Sequence, residues 1–294
     1  MQAALALRPL IKQAIDADIV SRTKAHQSRV ALLKAAPLQP SDQPQSRALA
    51  PLVLLSHGDS WFDYPLNGND LSLSSTDIIS QLQSMGATHP LILNLSHYGD
   101  ATSEEMSLTL QQRLIQAIGD KANWANDSAP DAILFSGGGN DIAGTQFCIY
   151  LDYDRGLNTT RFAGVLDLVC ASYHDLFAFR DEHAPGVPVI GHCYDFPIPN
   201  GAHPPCVGPW LQPSLEFTRN QADGTAILNH ALAEFRQMLL NLAADPVNNF
   251  ILVDTQGTLQ PAEWANELHP FPDGFKKFAS KFVDTLAQRF PGRI

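Results

Sequence analysis

A chain of 294 residues with 45% hydrophobic and 17% charged side chains can bury a sizeable core and is too apolar for global disorder. Its formal net charge of -11 gives an acidic surface that repels nucleic acid, so polyanion binding is set aside. No run reaches the roughly 18–20 consecutive apolar residues of a spanning helix, and Arg8, Lys12, Asp16 and Asp18 interrupt the leading segment where a secretory signal would be unbroken; a cytoplasmic protein is the expectation.

Residues 1–50 hold seven Lys/Arg against three Asp/Glu, a local balance of +4 that leaves -15 for the rest. Leu7, Leu10, Ile11, Ala14 and Ile15 recur there at helical spacing, with Ile19 one turn further beside Asp18. The pattern predicts an amphipathic helix with a frayed end. A basic stretch follows (Arg22, Lys24, Arg29, Lys34), then the Pro-, Gln- and Ser-rich segment 37–46, which reads as a linker. The expected organisation is a helix and linker over 1–46 and one domain over 47–294. The helix is either an arm that docks on a membrane surface or partner, or an element packed on the main domain. Its polar face carries both charge signs, which favours packing.

From residue 51 short apolar runs alternate with helical segments. The runs are 51–56, 90–95, 131–136, 187–192 and 249–254, each bounded by Pro, Gly, Asn or Asp and too short for a helix. Continuous runs of this kind suit strands covered on both faces. Between them, TSEE (102–105) fits a capping box with Thr102 at the N-cap and Glu105 three residues on, opening a helix that buries Met106, Leu110, Leu114, Ile115 and Ile118. Further helices are expected near 161–183, 222–243 and 273–290. The alternation predicts an α/β fold: a flavodoxin-like doubly wound sheet of about five parallel strands with helices on both faces, its ligand site at the carboxyl ends of the strands. Residues 141–160 and 195–220 read as loop insertions leaving that same edge. Cys148, Cys170, Cys193 and Cys206 form no CxxC pair, which argues against structural zinc; free thiols or a disulfide within the insertions both remain open.

Four loops carry residues with chemistry. The first run ends in SHGDSWFDY (56–64), where Gly58 permits a tight turn and Ser60 lies just past a strand end. A serine hydroxyl needs a base within reach to act as nucleophile. The second run ends in NLSHYGDAT (94–102), where Gly99 can bring a backbone N–H close to an oxyanion. The third ends in FSGGGNDIAG (135–144), whose glycines clear space around Asn140, an amide able to donate to the same oxyanion. WANELHPFPDGF (264–275) precedes the last helix and contains His269, a residue suited to general-base work. Strand order brings all four to one edge of the sheet.

This order of Ser, Gly, Asn and His resembles the conserved blocks of the SGNH hydrolases, also called GDSL-like esterases and lipases, over residues 51–294. HGDSWFDY, HYGDAT, GGGND and NELHP are similar to the family's blocks. The resemblance implies Ser60 as nucleophile, His269 as its base, and an oxyanion hole made by the Ser60 and Gly99 N–H groups and the Asn140 side chain. It implies an ester substrate, small or lipid-like, cleaved through an acyl-serine with no metal or organic cofactor. Short to medium acyl chains are expected, bordered by aromatics such as Trp61, Tyr98 and Phe196. One position departs from the pattern. The family's acidic residue three places before the histidine is Asn266 here. An amide can orient an imidazole but cannot stabilise the imidazolium by charge, and in serine proteases such a change costs about 10⁴ in turnover. Asn266 is the expected orienter, with Asp254, Glu263 and Glu267 as nearby carboxylates that could substitute. Two other readings stand beside this one. Asp59, Asp63, Asp141 and His192 could ligate metal in a metal-dependent phosphoesterase, and the missing acid could mark a non-catalytic acyl-binding protein with the same fold.

Overall fold

The computed structural model describes residues 2–35, 50–64, 76–126, 128–203, 206 and 208–294. Each expected apolar run forms a strand: β1 (Val53–Gly58), β2 (Leu91–Asn94), β3 (Ala132–Ser136), β6 (Val189–His192) and β7 (Phe250–Val253), while β4 (Leu151–Asp152) and β5 (Gly156–Leu157) make a separate antiparallel pair. The five main strands are all parallel, in the order β2-β1-β3-β6-β7. With the small hairpin set aside, this is the flavodoxin-like order, whose winding reverses between β1 and β3. The crevice outside the carboxyl ends of those two strands is therefore the place for a site.

Every residue of β1, β3 and β6 is buried. The reason is that helices cover both faces. On one face Phe135 of β3 and Phe250 of β7 meet Tyr173 of α6 (Thr159–His183), with ring centroids 5.1 and 5.6 Å apart. On the other, His192 of β6 packs 6.0 Å from Phe282 of α9 (Pro272–Arg289). Phe275, Phe278 and Phe282 give α9 a fully buried aromatic stripe, each ring contributing on the order of 2–3 kcal/mol. α8 (Gly224–Ala244) lies beside α6 and completes the second layer. The expected helices at 161–183, 222–243 and 273–290 thus appear within two residues of their limits. By length and composition α6 is the one described helix that could cross a membrane. In the fold it packs on the sheet and carries the buried Arg180, whose guanidinium donates to the Val187 and Asn248 carbonyls.

Four local expectations change. First, α1 (Gln2–Ala35) is a single helix through the basic stretch. Ile19, His26 and Val30 are buried, with Ile15 and Leu33 packed at the same face, so the stripe continues beyond Ile19, and Arg22, Arg29 and Lys34 flank it and bond to Ser96, Gln83 and Lys121 of the domain. The side chains of Leu7, Leu10 and Ile11 and the segment 37–46 lie outside the described residues; Ala14 is exposed. The helix is packed on the β2 edge: His26 Nε2 bonds the Asn123 carbonyl at 2.9 Å, and Arg22 pairs with Asp63 at 2.8 Å. Second, the box at 101–105 is shifted by one residue. Ala101 is the N-cap of α3 (Thr102–Glu105), and Glu104 accepts from its N–H at 3.0 Å. Glu105 turns inward instead, fully buried, and burial pushes its carboxyl pKa well above the ordinary range. Third, a break at Met106–Ser107 starts a new helix, α4 (Leu108–Gly119), which buries Leu114 and Ile118 but exposes Ile115. Fourth, the insertions are partly ordered. Residues 145–150 form a 3₁₀ helix leading into β4, and α7 (Gln212–Phe217) lies within 195–220. All four cysteines are free thiols.

Candidate active site

β1 delivers the serine through a backbone turn that only glycine fits. Gly58 has φ +149°, and a Cβ there would lie 2.5 Å from the Ser136 carbonyl oxygen of neighbouring β3. The next residue, Asp59, donates its N–H to that same carbonyl at 3.1 Å. Its buried carboxylate accepts from Ser136 Oγ (2.7 Å), Tyr194 Oη (2.6 Å) and Trp61 N (3.0 Å). Burial outweighs these bonds and pushes its pKa up to about 6. The turn is thus bolted to the ends of β3 and β6, and Ser60, 8% exposed, sits on top of it.

The histidine arrives from a tight loop before α9. Trp264 and Pro270 form a bridge across it, and the His269 carbonyl accepts from the N–H groups of Ala265 (3.0 Å) and Asn266 (3.2 Å). The loop brings His269 Nε2 to 2.8 Å from Ser60 Oγ, across 209 residues of sequence. Asn266 Oδ1 accepts from the backbone N–H of His269 at 2.8 Å and of Leu268 at 3.0 Å. Two N–H groups on that atom fix the sense of the amide, with oxygen rather than NH₂ toward the ring. His269 Nδ1, 3.2 Å away, is therefore the protonated nitrogen and donates to it. Nε2 is left with its lone pair facing the serine. Burial with no opposing charge lowers the His269 pKa to about 3. The Tyr64 ring lies over the imidazole at 4.7 Å, and Trp210 stands edge-on at 5.8 Å.

None of the three neighbouring carboxylates replaces the missing acid. Asp254 pairs with Arg236, and Glu263 pairs with Lys277 while capping Gln260 N. Glu267 is fully buried and accepts from four backbone N–H groups: Gly201 (3.1 Å), Trp210 (2.5 Å), Leu211 (2.8 Å) and Gln212 (2.9 Å). It ties the 195–220 insertion to the histidine loop.

Of the three expected oxyanion donors, Asn140 lines the same crevice as Ser60 and His269. Its Nδ2 donates one hydrogen to the Asp100 carbonyl at 3.0 Å, which joins the Gly99 loop to the segment that follows β3. The amide keeps a second hydrogen. Gly99 has φ +86° and stands outside the crevice lining. Among the described residues neither the Ser60 nor the Gly99 N–H meets an acceptor. The expectation that the glycines before Asn140 clear space around it is not met: a Cβ on Gly137 would meet Phe135 and Glu105, and one on Gly138 would meet Phe235. A Cβ on Gly139 would stand 2.7 Å from the Tyr194 ring, so this glycine admits Tyr194 to the site.

The crevice is a cavity of about 30 Å³, walled by Trp61, Ala143, Tyr194, Leu232, Trp264 and Leu268. Of the three expected contacts Trp61 is present. Tyr98 is 45% exposed and stacks on His97 at 4.3 Å, outside the lining, because it follows β2 on the outer side of the Gly99 turn. Phe196 packs into the core, and its neighbour Pro197 takes the lining position. Tyr194 and Leu232 were missed by sequence reading. A signal existed for Tyr194, two residues past a strand end like Ser60; none existed for Leu232, which reads as one more apolar position of α8.

The four side chains considered as metal ligands are engaged elsewhere. Asp59 is held as above, Asp63 by Arg22, Asp141 by Thr102 N at 2.9 Å, and His192 Nε2 by Ser136 Oγ at 2.8 Å. They do not converge, and no group of three or more ligating side chains gathers among the described residues.

No family model matches the chain, and no curated protein matches it. Solved structures do. The lipase Lip_vut3 from a goat rumen metagenome superposes with a TM-score of 0.51 at 14% identity, covering 79% of this chain and 96% of that one. An extracellular lipase from Streptomyces rimosus gives 0.48 at 17% identity over 79% and 98%. A member of the lipolytic G-D-S-L family from Veillonella parvula gives 0.41 at 15% over 80% and 98%. At these identities the likeness concerns the backbone. The flavodoxin-like, doubly wound fold expected from the sequence is the fold the chain adopts, and it shares that fold with the Lip_vut3 lipase.

Proposed function

We propose that this chain is a serine ester hydrolase acting on carboxylic esters of short to medium acyl length through an acyl-serine. The observation that carries the reading is the 2.8 Å contact between Ser60 Oγ and His269 Nε2 beside an apolar crevice. Nε2 takes the Ser60 proton as Oγ bonds the ester carbonyl carbon. The carbonyl π electrons move to oxygen, and the resulting oxyanion is held by the Ser60 N–H and the Asn140 side chain, a donor of this kind contributing roughly 3–4 kcal/mol in the transition state. Gly99, outside the crevice lining, serves here by its carbonyl-side neighbour Asp100, which accepts from Asn140. Collapse breaks the carbon–alkoxide bond, and the imidazolium gives its proton to the leaving alcohol. His269 then deprotonates a water that attacks the acyl-serine, releasing the carboxylic acid and restoring Ser60. Asn266 orients the base throughout by accepting its Nδ1 proton.

The test is hydrolysis of p-nitrophenyl esters by wild type and Ser60→Ala, with and without EDTA. Activity confined to wild type and indifferent to chelator is expected. Full activity in Ser60→Ala overturns the mechanism, and loss with EDTA favours a metal route. Slow ligand binding without turnover would return the reading to an acyl-binding protein, which the uncharged Asn266 keeps in view.

A further inference from the structure

Resting on that reading, we infer that the crevice is an acyl pocket sized for an acetyl group, with Leu232 and Ala143 as the residues that set the limit. One substituent of the scissile carbonyl must enter the crevice. The alcohol takes its proton from His269 and departs, so the acyl group is what stays behind, bonded to Ser60. The cavity holds about 30 Å³, two or three times the roughly 10–15 Å³ that a single water occupies by the same measure. A methyl group fits this volume; the crevice is open on one side, so a butyl or hexyl tail must either run out toward solvent or displace a wall.

The walls differ in how easily they move. Trp61 is wedged among Phe278 (4.9 Å), His192 (5.3 Å) and Tyr194 (5.1 Å). Tyr194 is tied by its hydroxyl to Asp59 at 2.6 Å. Both belong to the network that holds the Ser60 turn, so neither can yield without disturbing the nucleophile. Leu232, 1% exposed on α8, and Ala143, 6% exposed at the end of α5 (Gly139–Ile142), make no side-chain hydrogen bond. They are apolar walls whose size can change while the polar network stands, and unlike Leu268 and Trp264 they lie outside the loop that carries His269. A smaller residue at 232 lengthens the pocket, and a larger one at 143 fills it.

The experiment is kcat/KM for p-nitrophenyl acetate, butyrate, hexanoate and octanoate with wild type, Leu232→Ala, Ala143→Val and Ser60→Ala. Wild type is expected to prefer acetate over butyrate by at least about tenfold and over longer chains by more. Leu232→Ala should move the optimum to butyrate or hexanoate, and Ala143→Val should reduce acetate hydrolysis about tenfold or more. A profile that is flat or rises with chain length in wild type, while hydrolysis still depends on Ser60, overturns the pocket inference and leaves the nucleophile standing. Hydrolysis that survives Ser60→Ala, or none by wild type across the whole series, overturns the proposed function and this inference with it. Because the wild-type series alone can decide the matter, misfolding of either wall variant does not rescue the proposal.

Discussion

Asn266 holds His269 by one oxygen: the backbone N–H groups of Leu268 and His269 and the ring Nδ1 all converge on Asn266 Oδ1 within 3.2 Å. Where an amide replaces the acid of a catalytic triad, the usual damage is the wrong tautomer, with the NH₂ facing the ring. Here two main-chain donors prevent that flip. What the amide cannot supply is charge opposite the imidazolium.

Restoring the charge should therefore help. Asn266→Asp keeps the three acceptor contacts and adds a carboxylate beside the ring; kcat/KM on p-nitrophenyl acetate is expected to rise about tenfold, close to 1.4 kcal/mol of transition-state stabilisation. Asn266→Leu removes the acceptor and should lower it by ~10- to 100-fold. A fall in Asn266→Asp would mean that the site depends on the Nδ2 contact to Tyr64 Oη, at 3.4 Å, more than on charge.

The pH dependence follows from the same pair. Burial holds the His269 pKa down at about 3, so the base stays neutral far into acid. The acid limb of kcat/KM is expected below pH 5, against the ordinary histidine range near 6.5. Asn266→Asp stabilises the protonated ring and should move that limb upward. A wild-type limb centred between pH 6 and 7 would contradict the burial argument.

Asp77 provides a stability test with the opposite dependence. It caps α2 (Ile78–Leu82) by accepting from Ser80 N at 2.6 Å, and burial pushes its pKa up to about 7. Its folded pKa exceeds the unfolded value, so the folded state binds the proton more tightly and loses stability as pH rises from about 4 to 7. The full penalty is on the order of 4 kcal/mol. Asp77→Asn keeps the capping oxygen and cannot ionise. Urea unfolding at pH 4 and pH 8 should show the variant gaining on wild type as pH rises; an equal difference at both values would refute the assignment.

Glu267 links the insertion to the histidine loop through four N–H groups. Glu267→Ala strands those donors and should cost at least about 3 kcal/mol of stability. It should also lower kcat/KM, since His269 is two residues away. A loss below about 1 kcal/mol with unchanged activity would show the two loops to be independent.

Gly139 shows how the third motif serves the first. With a Cβ 2.7 Å from the Tyr194 ring, Gly139→Ala should displace Tyr194 from Asp59 and loosen the Ser60 turn. Ester hydrolysis is expected to fall more than tenfold with native circular dichroism retained; undiminished activity would detach Tyr194 from the site.

Strands and long helices were legible in the chain because a parallel strand buried on both faces must be apolar throughout and must stop at turn-forming residues. The runs ending at Ser56, Ser136 and His192 announced β1, β3 and β6 in this way, and the loops after them announced Ser60 and Asn140. Three features belong to the tertiary structure alone. Whether Asn266 presents oxygen or NH₂ to His269 depends on two backbone N–H directions in a folded loop. Whether Glu267 orients the histidine or clamps the backbone at Gly201 and at Trp210, Leu211 and Gln212 depends on which donors packing brings within hydrogen-bond reach of it. Whether Tyr98 or Leu232 borders the crevice depends on the path of a turn and the rotation of a helix. Local periodicity records how much of a side chain is buried; which distant neighbour it meets is settled only when the layers close.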